Sequence, residues 1–219
     1  MISALLLIGM FFGLIVAILI TVYAMLSRKW WLARRIATFS LAAVVIYFGA
    51  LFSVSLASFQ KQVKLREEFC IWEICFAATD VQTAKTIGSA GSQSTAQGMY
   101  YIVRVKIRSD AKRVTQRLRP GSVALIVVDD KGRKFAYSVE GQKAFDLSEK
   151  NPALEFPWIK ALGPDESSER AIVFDLPADA NNPQLEITEG DGLPTRLIIG
   201  DENSLLHKKT RILLTSNNR

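Results

Sequence analysis

Two long apolar runs dominate the first quarter of the chain. Residues 2–26 contain no charged side chain and neither do residues 36–59, whereas every acidic residue lies after position 59. At about 1.5 Å per helical residue, each run reaches roughly 35 Å, enough to cross a hydrocarbon core of about 30 Å. The pattern predicts two transmembrane helices, at 2–26 and 36–59.

Two other interpretations of these runs are disfavoured. A signal peptide has a basic start and an apolar run of about 7–15 residues, whereas Met1, Ile2 and Ser3 carry no basic group and the first run is longer. A buried helical hairpin of a soluble protein would need much more protein around helices that are apolar on every face. We therefore expect both helices to be retained.

The segment between the runs, 27–35, is basic and aromatic. It has no acidic residue, and its cations are Arg28, Lys29, Arg34 and Arg35. Short loops rich in Lys and Arg stay in the cytoplasm, so both chain ends are predicted to face outward. Aromatic side chains mark the same boundary, as an interfacial belt would: Tyr23, Trp30 and Trp31.

Glycines in the helices allow close helix packing. Gly9 and Gly13 lie one turn apart on one face of the first helix. Small residues at this spacing let another helix approach closely. The favoured interpretation is packing on the second helix near Gly49 and the small residues Ala42, Ala43 and Ala50; the alternative is self-association. No charge lies within either run, so an ion pore or proton path lacks its usual marker.

The distribution of charge argues against a nucleic-acid partner. The chain has 27 basic and 21 acidic residues, a net charge of +6. Four of the cations lie in the loop 27–35, so the remaining 23 basic residues face 21 acidic ones. The region beyond the helices is thus close to neutral and has no long basic run, unlike a surface that binds phosphates.

From residue 61 onward, short alternating segments replace the long runs. In residues 100–108, Tyr101, Val103, Val105 and Ile107 fall on one face and basic residues on the other, the period of two of a half-buried strand. Further strands are predicted at 122–128, 134–139, 170–176, 184–188, 196–199 and 211–214, with a tight turn at 129–132. Many short strands in about 150 residues favour an antiparallel β-sandwich. The predicted domains are 1–60, the helices with their loop, and 61–219, an extracytoplasmic sandwich.

Two segments are predicted to be long connections. Residues 88–98 are rich in Gly and Ser and indicate a mobile loop. Residues 142–164 form a second connection, with a helical turn near 145–149.

Four short motifs carry a resemblance to a known family. They are a Tyr-rich strand start at Tyr100, an Asp-Asp-x-Gly hairpin at Asp129, Gly163-Pro-Asp-Glu before Ile172-Val-Phe-Asp-Leu-Pro, and the C-terminal run from Ile199. Together they resemble the telokin-like, immunoglobulin-type domains found behind membrane anchors in many bacterial exported proteins. The resemblance covers most of residues 66–214. It implies an immunoglobulin-like sandwich outside the cytoplasmic membrane and a role in binding or assembly.

Candidates for catalysis or metal binding are few. His207 is the only histidine, so paired-histidine metal sites are excluded and a catalytic relay has little support; we expect a hydrogen-bonded structural or surface histidine. Acidic residues cluster in turns around Asp129, Asp165 and Asp201, where solvated side chains are expected. Their spacing matches no calcium loop. We expect no enzyme activity, no cofactor and no metal.

Cys70 and Cys75 are the only cysteines, with four residues between them. The predicted topology puts them outside the cytoplasm, where thiols are normally oxidised. In one straight strand they would be about 16 Å apart, whereas a disulfide needs Cα atoms within about 7 Å. We favour a disulfide across a turn at 71–74, forming a clamp between anchor and sandwich. Two free buried thiols, or metal or redox chemistry, are the alternatives.

These features predict a non-catalytic interaction protein in a bacterial cytoplasmic membrane. An anchor without functional charges, joined to a fold often used for contact surfaces, is typical of an accessory subunit of a larger membrane complex. Its expected partners are the lipid bilayer and other membrane subunits. The alternatives are a ligand-binding or sensing ectodomain and, less favoured, a carbohydrate hydrolase.

Overall fold

The computed structural model describes residues 2–71, 73–89, 91–117, 123–149, 161–189 and 193–214. The helices are α1 (Ile2–Leu26), α2 (Trp30–Ala57), α3 (Val139–Ser148) and α4 (Leu193–Arg196). The strands are β1 (Gln62–Val63), β2 (Phe69–Ile71), β3 (Ile74–Ile87), β4 (Ser94–Ser109), β5 (Gln116–Arg117), β6 (Val123–Val128), β7 (Lys134–Phe135), β8 (Ala161–Leu162), β9 (Ser167–Leu176), β10 (Gln184–Glu189) and β11 (Arg211–Leu213).

The chain forms two compact units. A helical unit comprises Met1–Phe59 and Asp191–Lys208, and a β unit comprises Gln60–Gly190 and Lys209–Arg219. The segment 193–208, which the sequence analysis assigned to the sandwich domain, thus belongs with the helices.

The helical unit is built on α1 and α2, both long and apolar enough to cross a membrane by length and composition. A three-residue connection separates them, so α2 begins at Trp30 rather than at Ile36 as predicted. The Lys29 N–H donates to the Ala24 carbonyl at 2.8 Å, and Arg28 has a φ of +55°. This is the hydrogen-bond pattern of a Schellman helix end, with Arg28 at the position where glycine is usual.

The segment 193–208 folds as α4 followed by a series of turns. The strand predicted at 196–199 is therefore wrong. Its short apolar run, Leu197 to Ile199, indicated a strand. The N–H groups of Leu197 and Ile198 instead donate to the carbonyls of Pro194 and Thr195 in helical turns. The Leu205 N–H returns to the Arg196 carbonyl and closes the segment into a compact loop.

The β unit is a sandwich, as predicted at that level. One sheet has the order β1-β11-β10-β6-β7, the other has the order β2-β3-β4-β9, and β5 and β8 form a small third pair. Pairing is antiparallel except between β1 and β11. The predicted alternation in β4 is confirmed, because Val103, Val105 and Ile107 are buried in a core shared with residues such as Leu185 and Ile212.

The hairpin between β6 and β7 is confirmed, and its second strand is shorter than predicted. The Gly132 N–H donates to the Asp129 carbonyl, and Gly132 has a φ of +76°, which suits glycine. Strand β7 covers only Lys134–Phe135, and β6 is not buried on both faces, since Ala124 is exposed. The predicted loop at 88–98 is likewise shorter, because β4 already begins at Ser94.

Helix α3 is longer than the single helical turn predicted near 145–149, and it covers the second face of the four-stranded sheet. Its residue Gly141 lies so close to this sheet that a Cβ there would be 2.9 Å from atoms of Tyr100 and Val173. The Ser138 hydroxyl caps the helix by accepting from the Gly141 N–H at 3.1 Å. Residues 150–160 of the predicted connection, and Trp72 of the predicted turn, lie outside the described residues.

Candidate functional site

An apolar groove of about 750 Å³ lies within the helical unit. Residues of α1, of α2 and one residue of the segment 193–208 line it: Leu5, Leu6, Gly9, Met10, Gly13, Leu14, Phe39, Ser40, Ala43, Val44, Ile46, Tyr47, Ala50 and Ile199. None of these side chains is charged. The groove can therefore accept an apolar group.

Of the three glycines predicted to pack helix on helix, Gly9 and Gly13 line this groove and Gly49 does not. A Cβ built on Gly9, Gly13 or Gly49 meets no heavy atom within 4 Å among the described residues. The close packing of Gly9 and Gly13 on α2 is thus absent, although Ala43 and Ala50 do face the same groove. Gly9 and Gly13 instead line the open groove.

Hydroxyl groups of α2 hold the segment 193–208. The Tyr47 hydroxyl donates to the Leu197 carbonyl at 2.6 Å, and the hydroxyls of Ser55 and Ser204 lie 3.3 Å apart. At the end of α2, the Ser58 hydroxyl accepts from the backbone N–H of Lys208 at 3.2 Å. These hydroxyls bond to a segment some 150 residues away in the sequence, which no local pattern could indicate.

The basic and aromatic residues cluster at the opposite end of the helices. Arg28 and Lys29 lie in the connection, whereas Arg34 and Arg35 lie on the first turns of α2. The Arg35 guanidinium stacks on the Trp31 ring at 3.7 Å from its centroid. The three aromatic side chains are about two-thirds exposed: Tyr23, Trp30 and Trp31.

The structure contains a disulfide between Cys70 and Cys75. They are directly paired residues of the β2–β3 hairpin, with Cα atoms 3.9 Å apart. Next to it, the Glu68 carboxylate accepts from Lys106 and Arg108 at 3.2 Å each. Partial burial would raise the pKa of Glu68, but these two cations hold that pKa below its ordinary value.

The carboxylates of the acidic turns form ion pairs and accept hydrogen bonds from the backbone. Asp129 is buried, and its carboxylate accepts from the Arg133 backbone at 2.8 Å and from the Arg133 guanidinium at 2.7 Å. Burial would raise the pKa of Asp129, but the bonds from Arg133 bring it below the ordinary value. Asp179 accepts from Lys131 and Arg133, which lowers its pKa as well.

Carboxylates of the other acidic turns likewise face a cation or accept a hydrogen bond. Asp165 lies 3.8 Å from the Arg108 guanidinium, Glu169 accepts from the Thr79 hydroxyl, and Asp201 accepts from the Asn203 N–H. In the described ranges, no group of three or more His, Cys, Asp or Glu side chains is arranged to hold a metal ion. These carboxylates stabilise turns and strand ends.

His207 belongs to the segment 193–208 rather than to the sandwich. Its backbone N–H donates to the Ser204 carbonyl, whereas its Nδ1 is buried and has no hydrogen-bond partner in the described part of the chain. The hydrogen-bonded side chain expected from the sequence is therefore not observed at this nitrogen.

Comparison with known proteins adds little beyond the sandwich itself. No family model matches the chain, and no characterised protein is similar to it in sequence. A conserved hypothetical protein from Bacillus anthracis superposes with a TM-score of 0.47 at 11% identity, over 57% of this chain and 88% of that chain.

Two further solved structures are similarly remote. An uncharacterised β-sandwich protein from Clostridium difficile gives a TM-score of 0.42 at 11% identity, over 72% of this chain and 96% of that chain. A secreted protein from Mycobacterium tuberculosis gives 0.40 at 10% identity, over 61% of this chain and 93% of that chain. None of them assigns the chain to a family.

Proposed function

We propose that this chain is a non-catalytic, membrane-anchored interaction protein, an accessory subunit that receives a transmembrane helix of a partner subunit in the groove between α1 and α2. The observation that carries the proposal is the groove itself. It is open, apolar and lined by small residues on both helices, including Gly9, Gly13 and Ala43.

The composition of the helices supports a position in the bilayer. From Ser3 to Leu26, α1 has a mean hydropathy of 3.0, and α2 has a mean hydropathy of 2.1. Large apolar side chains point outward along α1, with Leu6, Phe11 and Leu19 each more than half exposed. Such a surface is stable in hydrocarbon, whereas in water each of these side chains forgoes about 1.5–3 kcal/mol of burial free energy.

Small residues favour a helix as the occupant of the groove. Lipid tails are as apolar as leucine, so helices in a bilayer associate through close packing rather than through the hydrophobic effect. Gly9, Gly13, Ala43 and Ala50 let the backbone of a third helix approach both walls. The Ser40 hydroxyl in the same groove can donate to a carbonyl of that helix.

The orientation follows from the charges at the helix connection. Arg28, Lys29, Arg34 and Arg35 stay in the cytoplasm, so both termini and the sandwich lie outside the bacterial cytoplasmic membrane. The Cys70–Cys75 disulfide fits that oxidising side. An immunoglobulin-type sandwich of the telokin-like kind would supply a second contact surface on the same partner.

Site-specific photo-crosslinking tests the groove. A photoreactive amino acid replaces Ala43, which lines the groove, or Ala42, its neighbour, which does not. After irradiation of native membranes, position 43 should give one protein adduct of defined mass and position 42 should not. Equal adducts at both positions, or adducts only with lipid, would contradict a helix in the groove.

Purification tests the accessory role independently. Extracted in mild detergent, the wild-type chain should co-migrate with a stoichiometric membrane partner, and Ala43→Phe should release it because a ring fills the groove. Ala42→Phe is the matched control and should retain the partner. A clean monomer in several mild detergents would count against the accessory role.

A further inference from the structure

The segment 193–208 is separated from the helices by the whole sandwich in the sequence, yet it folds in the helical unit. We infer that this segment is a third membrane contact of the chain, a loop that enters the outer leaflet of the bilayer beside α1 and α2. The inference rests on the proposal that α1 and α2 span the bilayer.

The position of the segment along α2 sets its depth. The apolar run of α2 starts at Ile36, and at about 1.5 Å per residue Tyr47 lies about 16.5 Å further along the axis and Ser58 about 33 Å. The outer edge of a hydrocarbon core of about 30 Å is therefore level with Ser58. The segment is bonded to α2 at both residues, through Leu197 and Lys208, so it extends from this edge into the outer leaflet.

Contacts with α1 independently place the segment in the outer half of the helices. Ile199 lines the groove together with Leu5 and Leu6 of the first turns of α1. Gly200 is adjacent to α2, since a Cβ there would lie 3.9 Å from the Val54 side chain. Because α1 is apolar up to this point, any bilayer that covers its outer end also surrounds Ile199.

Several backbone groups of the segment are bonded within the protein, which favours entry into this layer. Non-helical backbone is tolerated at membrane depth only where its polar groups are bonded to protein or water. Turns satisfy the N–H groups of Asp201, Ser204 and Leu205, and the Tyr47 hydroxyl satisfies the Leu197 carbonyl. The α2 hydroxyls, which have no catalytic neighbour, thereby have a structural use.

Apolar side chains project from the outer end of this loop. Leu205 and Leu206 are 40% and 58% exposed, and Phe59, directly after Ser58, is 93% exposed. Leu206 has a φ of +65°, a conformation that a leucine rarely adopts and that the surrounding turn must impose. Two exposed leucines beside Lys208 match the apolar and basic composition of elements that bind a lipid interface.

Lys208 lies at the outer edge of the segment, beside Ser58, so its long side chain can extend to lipid phosphates while Ile199 lies deeper. Attraction of this cation to anionic headgroups adds to the apolar contact. The segment also carries Asp201 and Glu202, and the Asp201 carboxylate accepts from the Asn203 N–H within the loop.

Depth-dependent fluorescence quenching tests the inference on the full chain. Single substitutions Leu206→Cys, Ile199→Cys, Phe12→Cys and Val114→Cys receive an environment-sensitive fluorophore. The paired Cys70 and Cys75 do not react with it. Each protein is reconstituted in vesicles of phosphatidylcholine and phosphatidylglycerol, with or without a lipid that carries a nitroxide near the headgroup.

Position 206 should lose about half of its emission to the shallow nitroxide, as expected for a group within about 5–10 Å of the interface. Position 199 should be quenched more strongly by a nitroxide placed deeper in the acyl chain. Position 114, exposed in the β unit, should not respond.

Position 12 separates the two proposals. If Phe12→Cys is quenched while positions 199 and 206 are not, the helices are inserted and the loop inference is wrong. If position 12 is unquenched as well, the membrane anchor itself is wrong. Fluorophores at 199 and 206 that are shielded from water but unaffected by nitroxide lipids would indicate a protein cover, which also overturns the inference.

Discussion

Gln142 offers a sharp test of how the sandwich protects its sheet edge. Strand β9 is an edge strand, and the Gln142 side chain acts as its missing neighbour. The Gln142 Nε2 donates to the Ala171 carbonyl at 3.2 Å, and its Oε1 accepts from the Val173 N–H at 3.0 Å. All three residues are buried. Gln142→Met keeps the approximate shape of the side chain and removes both bonds, together with a third bond in which Nε2 donates to the Asp146 carboxylate at 3.1 Å.

The expected loss follows from the two groups left without a partner. Each buried backbone group that loses its hydrogen bond costs about 1–3 kcal/mol, so the variant should lose about 4 kcal/mol of unfolding free energy. With a urea slope of about 2 kcal/mol per M, the unfolding midpoint should fall by about 2 M. This is a large share of a domain stability of about 5–15 kcal/mol.

The assay is urea unfolding of the full chain in detergent micelles, with the folded β unit quantified by pulse proteolysis. Gln97→Met, at an exposed position of β4, is the matched control and should shift the midpoint by less than about 0.3 M, as surface changes do. If the Gln142 and Gln97 variants unfold at the same urea concentration, the edge is not stabilised by this amide and the reasoning is refuted.

Three further predictions use the same unfolding assay. Gly141→Ala should lose about 1–3 kcal/mol of unfolding free energy, because its Cβ would overlap side chains at 2.9 Å. Gly163→Ala should be near neutral, because its Cβ would meet only the Glu166 carboxylate at an ordinary contact distance of 3.5 Å; equal effects would contradict the packing argument. Reduction of the Cys70–Cys75 disulfide, or its replacement by two alanines, should cost about 2 kcal/mol, because the closed loop is short; no loss would mean that the hairpin needs no covalent link. Asp129→Asn should lower the unfolding free energy at pH 7, because the ionised Asp129 carboxylate, whose pKa is lowered in the folded state, stabilises that state. The difference from wild type should shrink as the pH falls below about 4, where this carboxylate becomes protonated. A pH-independent difference would exclude the ion pair as the cause.

The distribution of side chains along the chain determined the main parts of this protein. Charge-free runs made α1 and α2 predictable, and the period of two in residues 101–107 identified β4 and its buried face. Gly132 after a pair of aspartates marked the hairpin. These signals are local, since each depends on residues within a few positions of one another.

Local patterns did not predict most of α3 or the fold of the segment 193–208. Residues 139–148 have weak helix propensity and include Gly141, and the helix forms because it covers the outer face of β4 and β9. Residues 196–199 contain a short apolar run typical of a strand, yet hydroxyls of Tyr47, Ser55 and Ser58 hold that region against α2 as turns.

The candidate groove shows the same division. The sequence by itself determined that Gly9, Gly13 and Ala43 lie on apolar helices, because composition fixes the solvent in which a helix is stable. Only the tertiary structure decided that these residues leave an open groove rather than a closed contact, because that depends on the distance between two helix axes. Such a distance is set by packing between residues remote in sequence, including Ile199, and no local pattern encodes it.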